Sequence, residues 1–205
     1  SKVFFNEYKK LYEDICIELK PPISYFDTIE NIEFFTKKLL GRVVFLYFLQ
    51  KKGWLGSGQK WGDGDKKFLS SLFTKHKYDN FYSDILQPIF FEALNTKRKN
   101  DYFEKLKCKM PFLNGGLFSK DNFDETNTIL LNSIFENIFK NFNDYNFTII
   151  ENTPHESEVA IDPEMLGKIF EQLLPDKKDK GAFYTPREIV QYMCKQSIKN
   201  YLEVE

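Results

Sequence analysis

Lys37-Lys38-Leu39-Leu40-Gly41-Arg42-Val43-Val44-Phe45-Leu46 is apolar on nearly every side of a helix toward its C-terminal half. A helix that is apolar all round must be enclosed by protein, so this stretch reads as the central core element of a helical domain. It lies within a longer pattern. Asp27-Thr28-Ile29-Glu30 has the composition of a capping box, Phe34, Phe35, Leu39, Leu40, Val43, Val44, Tyr47 and Phe48 keep the helical period, and Gly53 supplies a stop. The predicted helix has about seven turns. Gly41 lets a neighbouring helix approach closely. Arg42 is flanked by core positions: either it reaches water along its own stem, the reading favoured by its length, or it is an internal cation paired elsewhere in the chain.

Working outward, residues 3–19 place Phe4, Tyr8, Leu11, Tyr12, Ile15 and Leu19 on one helical face that closes at Pro21-Pro22. Residues 65–76 and 78–94 predict two more helices, the second interrupted by Pro88, and residues 128–142 another. Asp162-Pro163-Glu164 opens a helix through Leu166, Ile169, Phe170 and Leu173, and Ile189, Val190, Met193, Cys194, Ser197, Ile198, Tyr201 and Leu202 line a last one. Two places depart from this period. Asn114-Gly115-Gly116, within Met110–Phe118, favours a hairpin-like turn, and residues 146–150 read as a short strand. The fold class is therefore mainly α, a multi-helix array with a small β-hairpin or short strand element. Residues 53–64 hold five of the ten glycines and both tryptophans but match neither a P-loop nor a dinucleotide fingerprint. They read as a flexible surface connection whose ends are pinned by Trp54 and Trp61.

With 42% hydrophobic and 17% aromatic residues, including 22 Phe and 11 Tyr, the core should be built largely from rings. Lys and Arg number 29 against 30 Asp and Glu, a net charge of -1, so any contact with nucleic acid must be local. Cys16, Cys108 and Cys194 are widely spaced and odd in number, which suits a reducing, cytoplasmic setting better than a disulfide framework. No stretch is long enough to span a bilayer. The histidines form no zinc pattern, and His155 falls in an acidic, polar connector over residues 151–160. The chain opens without an initiator methionine, as an excised piece would.

Three features invite a functional reading. Glu18-Leu19-Lys20 formally matches the Glu-x-Lys half of a metal-dependent nuclease site, but it ends a helix before two prolines and has no aspartate on a neighbouring strand, so it reads as a helix end. Asn95-Thr96-Lys97-Arg98-Lys99-Asn100 is the densest basic cluster. Lys97, Arg98 and Lys99 are candidates for DNA backbone contact, beside the plainer reading of a solvated loop. Near the end, Thr185-Pro186-Arg187-Glu188 is a strong helix start whose free amides favour an anion, with Phe183 and Tyr184 offering flat faces beside it.

Phe35–Leu49, Pro111-Phe112-Leu113-Asn114-Gly115-Gly116-Leu117-Phe118 and Asp162-Pro163-Glu164-Met165-Leu166-Gly167-Lys168-Ile169-Phe170-Glu171 occur in an order that resembles the helical region of type IIG (or IIS) restriction-modification enzymes and related phage-defence methyltransferases. Gly181-Ala182-Phe183-Tyr184-Thr185-Pro186 resembles the motif that begins the catalytic domain of amino-methylating DNA adenine methyltransferases. The resemblance extends over about residues 30–205. It implies that Phe183, Tyr184 and Thr185 border an S-adenosylmethionine pocket and that the partners are double-stranded DNA and downstream methyltransferase and target-recognition domains. The chain lacks the Asn/Asp-Pro-Pro-Tyr/Phe catalytic tetrad, the glycine-rich cofactor loop and a recognisable nuclease domain. The expectation is a non-catalytic fragment: a helical connector over residues 1–160, a helix and charged hinge over 161–180, and the edge of a methyltransferase domain over 181–205. The rival is a helical protein-interaction module with no DNA or cofactor role.

Overall fold

In a computed structural model of the protein, the described residues are 2–20, 26–113, 116–125, 130–147, 160, 161, 167, 185 and 187–203. The chain divides into two compact units, Ser1–Ala160 and Ile161–Glu205. In the first, α1 (Lys2–Glu18), α2 (Ile29–Lys51) and α3 (Phe68–Lys75) lead into π-helical turns at Tyr82–Leu86 and Ile89–Leu94. A hairpin of β1 (Tyr102–Phe103) and β2 (Cys108–Lys109), a 3-10 turn at Gly116–Phe118, α4 (Asn122–Glu125), α5 (Asn132–Phe142) and β3 (Asn146–Phe147) follow. β3 shares a two-stranded sheet with β4 (Ala160–Ile161), and α6 (Arg187–Glu203) belongs to the second unit. The fold is mainly α with small β elements.

α2 is the centre of the first unit, as its apolar wheel demands. Leu40, Val43 and Leu46 are fully buried; α1 packs against α2, and α5 packs against α1 and reaches α2 through Phe142, whose ring lies 5.4 Å from that of Tyr47. Each such side chain contributes roughly 1.5–3 kcal/mol by leaving water. The start of α2 is set by Thr28, whose hydroxyl accepts from Asn31 N–H at 3.2 Å, while Glu30 places a negative charge in the first turn. Rings fill the space around it. Phe4, Tyr8, Tyr47, Phe142 and Phe147 form one cluster with centroid separations of 4.9–6.1 Å, and Phe73, Phe81, Phe135 and Phe139 form another.

Several local expectations are corrected. The described hairpin lies at Tyr102–Lys109, where none was expected; Asn114 and Gly115 of the expected hairpin-like turn lie outside the described residues, and Gly116–Phe118 is a 3-10 turn. The connection of the Tyr102–Lys109 hairpin has no glycine, because Lys107 takes the left-handed conformation at φ 52°. Pro88 does not interrupt its helix. Its dihedrals, φ -58° and ψ -39°, are helical, and the winding widens on either side, with Gln87 N–H bonding back to Tyr82 O, five residues earlier.

The glycine-rich loop is tightly bonded rather than a loose connection. Gly53 O accepts from Gly62 N–H at 3.2 Å, Gly64 N–H at 3.0 Å and the buried Ser57 hydroxyl at 2.7 Å. Asp63 accepts from Gly58 and Lys60 N–H, and these bonds hold its carboxyl below the usual range. Leu55 is the apolar plug, fully buried, whereas Trp54 and Trp61 are 42% and 46% exposed. A side chain at Gly64 would come within 2.1 Å of Leu55 O, so glycine is required there by space.

Candidate functional site

The basic segment separates into two kinds of cation. Lys97 and Lys99 are exposed. Arg98 instead turns inward, its Nε donating to Tyr102 O at 3.1 Å and its Nη1 to Glu92 O at 2.8 Å, Thr96 O at 2.9 Å and Ala93 O. Nη2 completes the set with Asp101 O at 3.3 Å and Met110 O at 2.8 Å. The guanidinium also lies over Phe103, 5.7 Å from the ring centre, and burial lowers its proton affinity. A planar fork with five N–H groups suits such a ring of carbonyls. Arg98 therefore shapes the loop that displays Lys97 and Lys99 and has no free donor edge of its own.

A second charged centre is internal. Arg42, 1% exposed, does not snorkel: it meets Asp124 through Nη1–Oδ1 at 2.7 Å and Nη2–Oδ2 at 2.8 Å. Its Nε and Nη2 also donate to Leu117 O at 2.8 Å and Ser119 O at 2.9 Å, and Phe90 and Phe91 flank it. Lys38 adds bonds to Asp121 at 2.5 Å and Asp124 at 3.4 Å. Burial pushes the Asp124 carboxyl up, but the Arg42 hydrogen bonds and charge, the Asp121 amide and Lys38 outweigh it and hold the carboxyl below the ordinary range. Two of the segments quoted for the resemblance, Phe35–Leu49 and Pro111–Phe118, thus meet directly at Arg42 and Leu117. Asp124 was invisible in the sequence because nothing local marks a carboxylate 82 residues away as the partner of Arg42.

At the expected cofactor edge, Thr185 is exposed and lies outside the helix, ahead of the first helical residue, Arg187. Phe183 and Tyr184 lie outside the described residues, as do His155, the charged hinge and most of the predicted helix from Asp162. Along α6 the apolar ladder is solvent-facing, with Ile189, Met193, Ile198 and Tyr201 all 49–70% exposed. Among the described residues no group of three or more His, Cys, Asp or Glu is placed to hold a metal ion, and Glu18 is the last residue of α1. No helix among them is long and apolar enough to cross a membrane.

The chain is similar to a "putative type II restriction enzyme and methyltransferase" of Methanocaldococcus jannaschii, with 30% identity over 203 aligned residues. The match takes in 90% of this chain. It spans only 16% of the relative's length. No protein-family profile matches the chain, and no solved structure matches it. The similarity supports a restriction-modification relationship.

Proposed function

We propose that this chain is the helical connector of a type IIG or IIS restriction-modification protein that methylates DNA adenine using S-adenosylmethionine. The carrying observation is the 30% identity over 90% of the chain to a protein described as a restriction enzyme and methyltransferase. Residues 1–160 form the connector, residues 161–180 a helix and hinge, and residues 181–205 the first edge of the methyltransferase domain. Phe183, Tyr184 and Thr185 border the cofactor, and Thr185 is exposed. The apolar ladder of α6 then packs against the remainder of that domain, where its exposed side chains leave water. Lys97 and Lys99 contact the DNA backbone and Arg98 holds their loop. The connector has no catalytic group, and methyl transfer belongs to downstream residues acting on an extruded base.

Reading the gene past the codon for Glu205 tests this directly. An Asn/Asp-Pro-Pro-Tyr/Phe tetrad and a glycine-rich cofactor loop are expected, with transfer of labelled methyl groups to adenine in duplex DNA by the gene product. Their absence sinks the proposal. The net charge of -1 favours a second reading, a helical protein-interaction module. That reading expects a protein partner on α6 and no methyl transfer.

A further inference from the structure

Tertiary bonds join two stretches that are far apart in the chain. Ser57 and Lys109 exchange backbone hydrogen bonds of 3.1 and 2.7 Å, Lys109 also pairs with Tyr102 across the hairpin, and Lys109 Nζ reaches Gln59 O at 2.9 Å. Arg98 ties residues 95–101 to the same hairpin through Tyr102 and Met110. Residues 53–64 and 95–110 therefore form one surface unit.

Its charge differs sharply from that of the whole chain. The unit carries seven Lys and Arg against three Asp and Glu, although the chain has a net charge of -1. Lys60, Lys97, Lys99, Lys105 and Lys107 are exposed, while Asp63 is occupied by the loop's own amides. Trp54 follows Gly53 and Trp61 precedes Gly62, the two residues joined by the Gly62 N–H to Gly53 O bond, and both are partly exposed to water. A rigid loop that keeps two large rings exposed beside a concentration of cations suits a partner that presents regularly spaced negative charge together with flat apolar faces. Phosphodiester chains have both features: lysines neutralise phosphates, and indoles rest on sugars or bases. An acidic peptide supplies charge without the flat faces.

We propose that this loop-hairpin unit is a DNA-contacting surface, with Lys60, Lys97, Lys99 and Lys107 meeting phosphates and Trp54 and Trp61 meeting sugar or base. The inference rests on the DNA methyltransferase reading for the identity of the nucleic acid. It extends that reading from one lysine-rich segment to a composite surface that includes the glycine-rich loop. The test is fluorescence anisotropy of the 205-residue chain with a labelled duplex of about 20 base pairs across a salt series.

Lys97→Gln/Lys99→Gln/Lys107→Gln is expected to weaken binding at least tenfold at low salt and to reduce the salt slope by about 0.9 per lost phosphate contact. Trp54→Ala/Trp61→Ala should weaken binding while leaving that slope unchanged. The control Lys9→Gln/Lys10→Gln/Lys195→Gln, which removes exposed lysines on α1 and α6, should leave affinity within twofold. Thermal midpoints of all variants identify any loss caused by unfolding, and Lys→Arg versions restore binding if charge is the cause. The proposal is overturned if the control weakens binding as much as the triple variant. It is also overturned if the wild-type chain does not bind DNA at low salt, or binds polyglutamate more tightly than DNA. Methyl transfer by the full gene product, measured separately, distinguishes failure of this surface from failure of the methyltransferase reading.

Discussion

Asp124 shows how much can depend on one carboxylate. Replacing it with Ala leaves the Arg42 guanidinium buried without a counter-ion, so a loss of about 3–5 kcal/mol is expected in urea denaturation. The pH response has a defined sign. Because the folded-state proton affinity of Asp124 is depressed, its contribution is present above the unfolded carboxyl value of about 3.9 and is lost as pH falls through the lower folded value. Wild type should therefore lose stability below about pH 4 more steeply than Asp124→Asn, and parallel pH profiles for the two would refute the assignment. At Gly64 the constraint is space. Gly64→Ala drives a methyl group into Leu55 O and should cost about 2–3 kcal/mol, whereas Gly116→Ala, with nothing within 4 Å, should change stability by less than about 0.5 kcal/mol.

Among the elements, the hairpin and its preceding loop are held by Arg98 more than by their two short strands. Arg98→Lys keeps the charge but replaces a planar fork with a point donor, so several of the carbonyls lose their partner. A loss of roughly 1.5–3 kcal/mol is expected, and faster amide exchange at Lys109 and Met110 should accompany it. If Arg98→Lys is as stable as wild type, the carbonyl ring does not organise the loop. The contrast with α2 is instructive. That helix was legible from residues 27–53 alone, since its period, cap region and stop are all local, and only the choice of Thr28 as the cap needed coordinates. The hairpin at Tyr102–Lys109 was missed because a turn that uses Lys107 at positive φ carries no Gly or Asn-Gly signal.

For the molecule as a whole, the proposed division of labour puts DNA contact on the first unit and the cofactor edge on the second. In a protein that extends through the methyltransferase domain, Thr185→Ala should weaken S-adenosylmethionine binding several-fold in calorimetry while leaving duplex affinity unchanged. Unaltered cofactor affinity would take Thr185 out of the site. Sequence by itself determined the helical class, the ring-rich core and the central position of α2, because periodicity and composition express burial along one element at a time. It also carried the restriction-modification relationship, through segments whose order is readable without coordinates. Only the tertiary structure decided that Arg42 is paired with Asp124, that Arg98 is spent on carbonyls, and that the glycine-rich loop and hairpin are one unit. Those outcomes depend on groups brought together across 82, 12 and 52 residues, as in the Arg42–Asp124, Arg98–Met110 and Ser57–Lys109 contacts, and local spacing holds no record of such meetings.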